Sequence, residues 1–539
     1  MKIPIIDIFA GPGGLGEGFS AFVNPENHKR QFKIALSIEK DTYAHQTLKL
    51  RSFFRQFAPE QVPLEYYECI KERITLSELY VRWPLQAKKA NAEALLAELG
   101  EGKEAVSNSI VDKKIQSALN KEKDWVLIGG PPCQAYSVVG RSRRREKVLD
   151  EKKDERVALY KQYLRILGVH KPAVFVMENV KGLLSAKTLR SPLFSKILAD
   201  LSAPGSAYLS DCKNKDIKLN SPGYRIYSLV AEPTDFDSKG NPIFCPQDFV
   251  IRSEKFGVPQ TRHRVILLGI RKDIEFSPKT LKPSSEVSIS SVLSDLPEIR
   301  SRLSKTADNN LAWKSAINDI LEKGILVDID KSVKEEILKQ LNKISASEKK
   351  PGGEYLTYKQ TSTPYYPEWY LDPRIEGVCN HSSRGHMKSD LTRYLFASCF
   401  AKVKKRSPKL EDFPQALLPA HKNINDGIEN KKFADRFRVQ LWNKPCKTVT
   451  SHISKDGHYY IHPDPAQCRS FTVREAARIQ TFPDNYYFCG PRTSQFVQVG
   501  NAVPPLLANQ IAEIVFEIFK SIYAKRFVKE TYQIPELVK

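Results

Sequence analysis

The stretch Ile3–Phe22, "IPIIDIFAGPGGLGEGFSAF", decides the fold class. Its branched apolar run up to Phe9 predicts a buried strand, and the glycines that follow predict a tight turn into a helix. Further apolar runs predict strands at Phe32–Lys40, Trp125–Gly130, Ala173–Val180 and Arg264–Arg271. Strands separated by helical segments, such as the one spanning about residues 75–120, predict a mostly parallel α/β sheet.

The turn after the first strand is rich in glycine, at Gly11, Gly13, Gly14, Gly16 and Gly18. Such a turn lets a ligand approach the backbone at the carboxyl end of the sheet. No GK[ST] follows, so the turn is not a phosphate-binding P-loop. Glu39 ends the second strand, where a carboxylate can accept hydrogen bonds from both ribose hydroxyls of an adenosine-containing cofactor. These two features leave NAD, FAD and S-adenosylmethionine open, and a simple turn beside a solvated glutamate fits equally well.

The composition indicates a nucleic-acid partner. Lys and Arg number 84 against 62 Asp and Glu, a net charge of +22, and 539 residues suffice for two or more domains. No apolar run approaches the roughly 20 residues that span a bilayer, and the N-terminus lacks the features of a signal peptide. The nine cysteines form no CxxC pair, so no metal site is predicted. We therefore expect a cytoplasmic protein that contacts nucleic acid.

One cysteine has an unusual setting, in Trp125–Arg145, "WVLIGGPPCQAYSVVGRSRRR". Cys133 follows a strand end and two prolines that restrict the backbone, which suits a nucleophile held in one position. The arginines that follow could lower the pKa of its thiol if the loop folds over the site. Taken alone, a buried structural cysteine beside a solvated basic run is the better interpretation.

Two other strand ends carry charged residues. Glu178 lies between apolar stretches in "VFVMENVKGLL", where a carboxyl group must be paired or serve as an acid. Arg262 and Arg264, in "FGVPQTRHRVILLGIR", are two positions apart and so share one face of a strand. Two guanidinium groups on one face suit a carboxylate, a phosphate or a carbonyl oxygen.

The motifs, taken in order, resemble those of the DNA cytosine-5 methyltransferases, and most closely the enzymes of bacterial restriction–modification systems. The resemblance rests on "DIFAGPGG", "SIEKD", "GGPPCQAYSVVG", "MENVKGLL", "VPQTRHRVILLG", "TVREAARIQTFPD" and "QVGNAVPPLLA", and it runs from Ile6 to about Ile514. Tyr136 stands where the family more often has Phe. The stretch between Glu39 and Trp125 is unusually long and leaves the residue for the cofactor's adenine amino group unassigned.

The resemblance implies a Rossmann-like sheet that binds S-adenosylmethionine, with a smaller target-recognition domain. Cys133 would add to C6 of cytosine, Glu178 would act at N3, Arg264 would hold O2, and Arg262 would orient Glu178 or neighbouring groups. The implied cofactor contacts are Phe9, Ala10, Gly11, Gly13, Gly14, Leu15, Glu39, Pro131, Asn501 and Ala502. The implied DNA contacts are Gln134, Ser137, Gly140, Arg141, Arg143 and Gln260. No metal is implied.

The composition becomes less regular from about residue 273, which indicates a second domain. With the resemblance, it predicts a catalytic domain at 1–272, a target-recognition domain at 273–488, and a C-terminal segment, 489–539, that returns to the catalytic domain. "KVKKR", at Lys402–Arg406, and "HSSRGHMKSDLTRY", at His381–Tyr394, are candidate DNA faces.

The expected partner is double-stranded DNA, with a restriction endonuclease encoded nearby, no membrane association and a monomeric state. The nearest alternative is an RNA cytosine-5 methyltransferase on the same scaffold, which the large variable region disfavours. A DNA-binding regulator without activity is disfavoured by the intact set of Cys133, Glu178 and Arg264. A nicotinamide dehydrogenase would leave the later motifs unexplained.

Overall fold

The predicted strands lie side by side in one eight-stranded sheet of the computed structural model. The structure describes residues 2–100, 104–131, 155–186, 192–210, 221–321, 324–359, 363, 365–419, 435–455 and 457–532. The strands of this sheet are β1 (Ile3–Ile8), β2 (Phe32–Glu39), β3 (Ala94–Leu96), β4 (Val126–Gly129), β5 (Val174–Val180), β6 (Tyr224–Tyr227), β7 (Val250–Arg252) and β8 (His263–Arg271). Their order is β7-β8-β5-β4-β1-β2-β3, and β6 pairs with β8.

The strands β1 to β5 pair in parallel, whereas β8 runs antiparallel to β5. The carboxyl ends of the five parallel strands therefore meet at one edge of the sheet, and β8 begins at the same edge. This edge is where open α/β sheets bind ligands. The Rossmann-like α/β fold predicted from the sequence is confirmed.

The described part of the chain contains helices that cover both faces of the sheet and further helices that pack elsewhere. They are α1 (Gly14–Ala21), α2 (Thr42–Arg55), α3 (Leu64–Ile70), α4 (Leu76–Arg82), α5 (Pro84–Glu93), α6 (Asn108–Leu119), α7 (Glu155–His170), α8 (Leu193–Ser202), α9 (Pro204–Ser210), α10 (Ser290–Leu293), α11 (Asn310–Asn318), α12 (Lys331–Ser345), α13 (Pro367–Tyr370), α14 (Lys388–Lys404), α15 (Val473–Ile479), α16 (Arg492–Asn501) and α17 (Pro505–Tyr532). The apolar core on one face includes side chains of α1 and α17, and the core on the other includes side chains of α6, α7 and α8.

The strand β3 corrects the prediction that residues from about 75 to 120 form only helices. Ala94–Leu96 consists of good helix formers, yet it pairs in parallel with Ser37–Glu39 at the edge of the sheet. Pairing with an existing strand satisfies its backbone groups, and this tertiary contact overrides a weak local propensity for helix.

Residues beyond β8 build a further apolar core around Trp313, Ile337, Tyr394 and Phe437, from helices α11, α12 and α14 and the segments near them. Five short ladders accompany the main sheet in the described residues: Val23–Asn24 with Lys29–Arg30, Asp235–Phe236 with Pro242–Ile243, Gln260–Thr261 with Cys446–Lys447, Arg302–Leu303 with Gly385–His386, and Gly352–Thr357 with Gly377–Ser382. The domain boundaries near residues 273 and 489 stay predictions.

The C-terminal helix α17 packs against α1, the helix that follows the glycine turn. The Asn509 side chain donates a hydrogen bond to the Gly18 carbonyl at 2.9 Å. Contrary to the sequence-based expectation, the stretch Arg492–Phe527 is long and apolar enough to cross a membrane. Yet 72% of its most apolar window is buried inside the protein, as in the core helix of a globular fold.

Candidate active site

Glu178 and Arg264 form an ion pair at the carboxyl edge of the sheet. Their strands, β5 and β8, are antiparallel neighbours, and the Arg264 Nε lies 2.9 Å from the Glu178 Oε1. Their side chains are only 14% and 16% exposed, so water screens the pair weakly. The guanidinium also donates to the His263 carbonyl at 2.9 Å, which fixes its plane. The site thus holds an oriented carboxyl group and an oriented cation side by side.

The end of β4 brings the "GGPP" segment to this pair. A Cβ placed on Gly130 would lie 2.9 Å from the Glu178 Oε2, so the glycine backbone packs directly on the carboxyl group. Pro131 follows and is buried. Cys133 and the predicted DNA contacts Gln134, Ser137, Gly140, Arg141 and Arg143 lie outside the described residues.

The structure corrects the role predicted for Arg262. Its guanidinium is buried and donates to the carbonyls of Val449, at 2.8 Å, and Gly500, at 3.3 Å. Burial lowers the pKa of Arg262, the neighbouring cation Arg264 lowers it further, and Glu178 opposes both. Arg262 was expected to orient Glu178 or neighbouring groups, and the ion pair with Glu178 is made by Arg264. Arg262 instead joins the start of β8 to two distant segments of the chain.

The structure also corrects Gln260, which was predicted to contact DNA. The residue is fully buried, its Oε1 accepts from the Val449 N–H at 2.7 Å, and its Nε2 donates to the Gln480 Oε1 at 2.7 Å. Gln480 in turn donates to the carbonyls of Val499 and Ala502, at 2.8 and 3.0 Å. Buried amides are stable only when they are hydrogen-bonded, and here Gln260 is satisfied by the protein itself. Its place is in an internal network next to Arg262.

On the other side of the edge, Glu39 is tied to the glycine turn. Its Oε2 accepts from the Gly11 N–H at 2.8 Å, and its Oε1 accepts from the N–H groups of Lys40 and Asp41, at 2.9 and 2.8 Å. Burial raises the pKa of the Glu39 carboxyl, although these three donors oppose the shift. A carboxylate offers about four acceptor positions, so these three donors leave acceptor capacity unused.

The glycine turn, Gly11–Gly14, has the shape of a cradle. Gly13 has φ 89°, a left-handed conformation that favours glycine. A Cβ on Gly14 would lie 2.2 Å from the Val503 carbonyl oxygen, so the turn packs directly on the segment after α16. Asn501, the last residue of α16, is exposed, and Ala502, which begins this segment, is buried.

Phe9 and Ala10 complete the turn at the end of β1. Phe9 also lies in the left-handed region, with φ 55°, and the Ala10 N–H donates to the Ile38 carbonyl at 3.2 Å. Leu15, which was grouped with the cofactor contacts, has its side chain in the apolar core below α1. Only its backbone can take part in the cradle.

Glu98 is a candidate binding residue that the sequence did not reveal. It follows β3, the neighbour of the strand that ends in Glu39, and its carboxylate lies 3.3 Å from the Lys40 Nζ. The side chain is 30% exposed, so it is accessible to a ligand. The available signal was an acidic residue directly after the apolar run "ALLA", but that run was interpreted as helix.

The two candidate DNA faces differ from expectation. In His381–Tyr394 the residues His381, His386 and Tyr394 are buried, and His381 bonds to the Thr472 hydroxyl and the Pro297 carbonyl. Burial lowers the pKa of His381 to about 4, so it is neutral at physiological pH. This segment is therefore mainly interior.

The basic run Lys402–Arg406 is at the surface, but three of its four cations are paired. Lys402 lies 2.8 Å from Glu336, Lys404 lies 2.8 Å from Asp330, and Arg406 lies 2.7 Å from Asp412. Each acidic partner cancels much of the field that a phosphate would experience. The run is therefore a weaker DNA face than its sequence indicates.

The sequence is similar to known methyltransferases over almost its whole length. Residues 98–213 and 246–517 match the family of C-5 cytosine-specific DNA methylases. The Type II methyltransferase M.Bpa9945I of Bacillus paralicheniformis is 34% identical over 95% of this chain and 98% of its own. M.DdeI of Desulfomicrobium norvegicum, also named a Type II methyltransferase, is 26% identical over 96% and 89% of the two chains.

A third relative carries the activity in its name. The DNA (cytosine-5-)-methyltransferase M.ApeKI of Aeropyrum pernix is 26% identical over 74% of this chain and 82% of its own. The family match covers more than half of the chain, and it includes the strand ends that carry Glu178 and Arg264. The chain therefore belongs to the C-5 cytosine-specific DNA methylase family.

Proposed function

We propose that the protein methylates C5 of a cytosine that has been flipped out of a specific duplex DNA sequence. The observation that carries the proposal is the Glu178–Arg264 pair packed against Gly130, three positions before Cys133. Both groups lie at the sheet edge that also carries the glycine turn and Glu39. A base-binding pair and a cofactor cradle therefore share one edge, as a methyl transfer between two bound molecules requires.

The residues of the cradle fit S-adenosylmethionine. The turn Gly11–Gly14 offers a close backbone approach, Glu39 offers an acceptor for ribose hydroxyls, and Glu98 offers one for the adenine amino group. Asn501 and Ala502 would close the pocket from the side of α16. When bound, the cofactor would supply an electrophilic methyl group.

The chain's own residues would prepare the base for this transfer. The Cys133 thiolate adds to C6 of the cytosine, and the new C–S bond shifts electron density to C5. Glu178 holds or protonates N3, so that negative charge does not accumulate on the ring. Arg264 fixes Glu178 and contacts O2 of the base. After the methyl group is on C5, loss of the C5 proton breaks the C–S bond and frees the thiolate.

The target base is inaccessible inside a duplex, so it must leave the stack, at a cost of a few kcal/mol. The basic stretch that contains Arg141 and Arg143 would contact the DNA phosphates around the vacated position. We propose that the enzyme acts as a monomer, in the bacterial cytoplasm, and protects DNA against a restriction endonuclease encoded nearby.

The experiment that tests this function uses methyl-labelled S-adenosylmethionine, with duplex DNA and tRNA as separate substrates. Label should enter duplex DNA, and bisulfite sequencing should place it in one recurring sequence. C133S should abolish transfer, whereas C245S, at an exposed free cysteine, should retain it. Labelling of tRNA alone, or full activity of C133S, would refute the proposal.

The protective role has its own test. DNA from cells that express the enzyme should resist a restriction endonuclease that recognises the methylated sequence, and DNA from cells with C133S should be cut. A monomer should give a mass near 61.3 kDa in light scattering. Equal cutting of the two DNA samples would refute the protective role.

A further inference from the structure

The glycine turn receives one hydrogen bond from a distant part of the chain. The Tyr486 hydroxyl donates to the Pro12 carbonyl, in the middle of Gly11–Gly14. Tyr486 is fully buried and lies seven positions after the end of α15, in "TFPDNYYF". No motif role assigned above uses this tyrosine.

The tyrosine packs on the turn as well as bonding to it. A Cβ on Gly13 would lie 3.1 Å from the Tyr486 Oη and 2.7 Å from the Leu48 Cδ2. The underside of the turn therefore rests on Tyr486 and on α2. Burial raises the pKa of the Tyr486 hydroxyl, so it stays protonated and remains a donor at all physiological pH values.

The ring of Tyr486 is itself held by charged groups. The Arg51 guanidinium lies 4.9 Å from the ring centroid and pairs with Glu17 of α1 at 2.5 and 2.9 Å. Both charged side chains are nearly completely buried, at 6% and 5% exposed. The helix that continues from the turn and the tyrosine below the turn are thus joined through one arginine.

The preceding residue, Asn485, anchors this tyrosine to two more parts of the molecule. Its Oδ1 accepts from Arg51 at 3.0 Å, and its backbone carbonyl accepts from the Tyr66 hydroxyl of α3 at 2.8 Å. Its Nδ2 donates to the Asp372 Oδ2 at 2.9 Å. Residues 485–486 therefore form a rigid platform, because side chains from separate segments fix both of them.

We propose that Tyr486 is a positioning residue for cofactor binding, which holds the Gly11–Gly14 turn in the conformation that receives the cofactor. The hydroxyl acts on the Pro12 carbonyl, and the carbonyl orients the neighbouring peptide groups of the turn. The proposal rests on the function proposed above, in which this turn binds S-adenosylmethionine.

The test compares Y486F with the adjacent Y487F, which loses a hydroxyl that donates to the exposed Glu72 carboxylate at 3.3 Å. Y486F removes a single hydrogen bond, so its Kd for S-adenosylmethionine in calorimetry should rise roughly 3- to 10-fold. KM for the cofactor should rise by a similar factor, whereas kcat at saturating cofactor and KM for DNA should stay near the wild-type values. Y487F should match the wild type in all four quantities.

A purely structural role would lower Tm and leave the cofactor Kd of the folded enzyme unchanged. Equal Kd values for Y486F and the wild type would therefore overturn the inference. If Y486F does not fold, the variant N485A replaces it in the test. N485A loosens the platform at residues 485–486 without changing the turn, so it should also raise the Kd for S-adenosylmethionine. An unchanged Kd in N485A would overturn the inference. Failure of the wild-type enzyme to bind S-adenosylmethionine would instead overturn the proposed function.

Discussion

At the scale of single residues, the two arginines of "QTRHR" make separate contacts although their spacing predicts one shared face of a strand. The Arg264 guanidinium forms an ion pair with Glu178 in the site, whereas the Arg262 guanidinium donates hydrogen bonds to two backbone carbonyls. The spacing of the two arginines does not indicate which of them contacts a carboxyl group. The partners of Arg262, Val449 and Gly500, are about two hundred positions away in the sequence, so their proximity depends on the fold.

Loss of Arg264 should impair chemistry. R264A removes a fixed cation from the reacting base, and loss of such a group lowers kcat by about 10²- to 10³-fold. The Kd for S-adenosylmethionine should not change, because Arg264 is not part of the glycine turn. Single-turnover methyl transfer and calorimetry measure the two quantities. R252A, an exposed arginine on the neighbouring strand β7, is the control, and a wild-type kcat in R264A would contradict the assignment.

Loss of Arg262 should impair stability. R262M leaves the buried carbonyls of Val449 and Gly500 without their donor, at a cost of about 1–3 kcal/mol for each unsatisfied group. Thermal unfolding should show a lower Tm than for R252A. An unchanged Tm would show that these carbonyls find other donors.

Asp7, on β1, is a buried acid whose two side-chain oxygens have no hydrogen-bond partner among the described residues. Burial raises its pKa to about 8, although Arg55 opposes the shift. Folding must therefore protonate this group at neutral pH. The contribution of Asp7 to the free energy of unfolding is therefore complete below pH 3.8, the ordinary pKa of an aspartate. This contribution falls as pH rises toward about 8.

D7N removes this dependence on pH. The Tm of D7N minus that of the wild type should increase between pH 5 and pH 8, because only the wild type must take up a proton. Exposed Asp328 provides the control D328N, which should show no such trend. A difference that is constant with pH would contradict the role of Asp7.

At the scale of elements, the strand ends could be predicted and the partners of β2 could not. Continuous apolar runs indicated β1, β2, β4, β5 and β8, because strands buried on both faces of a sheet have a strong and continuous signal. The edge strand β3 has three residues and a composition typical of helix, so its pairing depends on β2 being already in place. Glu98 was missed for this reason.

The carboxylates after β2 and β3 should both contribute to cofactor affinity. E39A removes charged acceptors for ribose hydroxyls and should raise the Kd for S-adenosylmethionine by about 10- to 100-fold, whereas E98A should raise it less. Because burial raises the pKa of Glu39, wild-type affinity should begin to fall on acidification above pH 4.5, the ordinary pKa of a glutamate. E39Q should lack this dependence. Calorimetry between pH 5 and pH 8 measures both effects.

At the scale of the whole molecule, the charge of +22 could be related to DNA from the sequence alone, but not its distribution. Lys402, Lys404 and Arg406 are paired with acidic residues that lie far away in sequence or on another turn. Each of these three cations adds a full positive charge to the net charge of the chain. In the folded protein, a neighbouring carboxylate neutralises much of that charge. Which arginines are unpaired depends on the fold.

DNA binding should therefore depend on the two basic runs unequally. R141A/R143A should weaken DNA binding and reduce the slope of log K against log salt by up to about 2, because two phosphate contacts are lost. K402A/K404A/R406A should change that slope less, although it removes three cations. Titrations of duplex DNA between 50 and 200 mM salt compare the two variants. A larger effect of the triple variant would identify Lys402–Arg406 as the DNA face.

The short ladder between Gln260–Thr261 and Cys446–Lys447 limits how this enzyme could exchange its recognition sequence with a relative. The ladder attaches the residues just before β8 to a segment far along the chain, and its residue Thr261 is only three positions before Arg264. A graft that replaces residues 300–440 leaves the ladder and the Val449 carbonyl intact. A graft that continues to residue 450 replaces Cys446–Lys447 and the Val449 carbonyl, which hold the segment just before Arg264, so such a hybrid should lose the activity proposed for the enzyme.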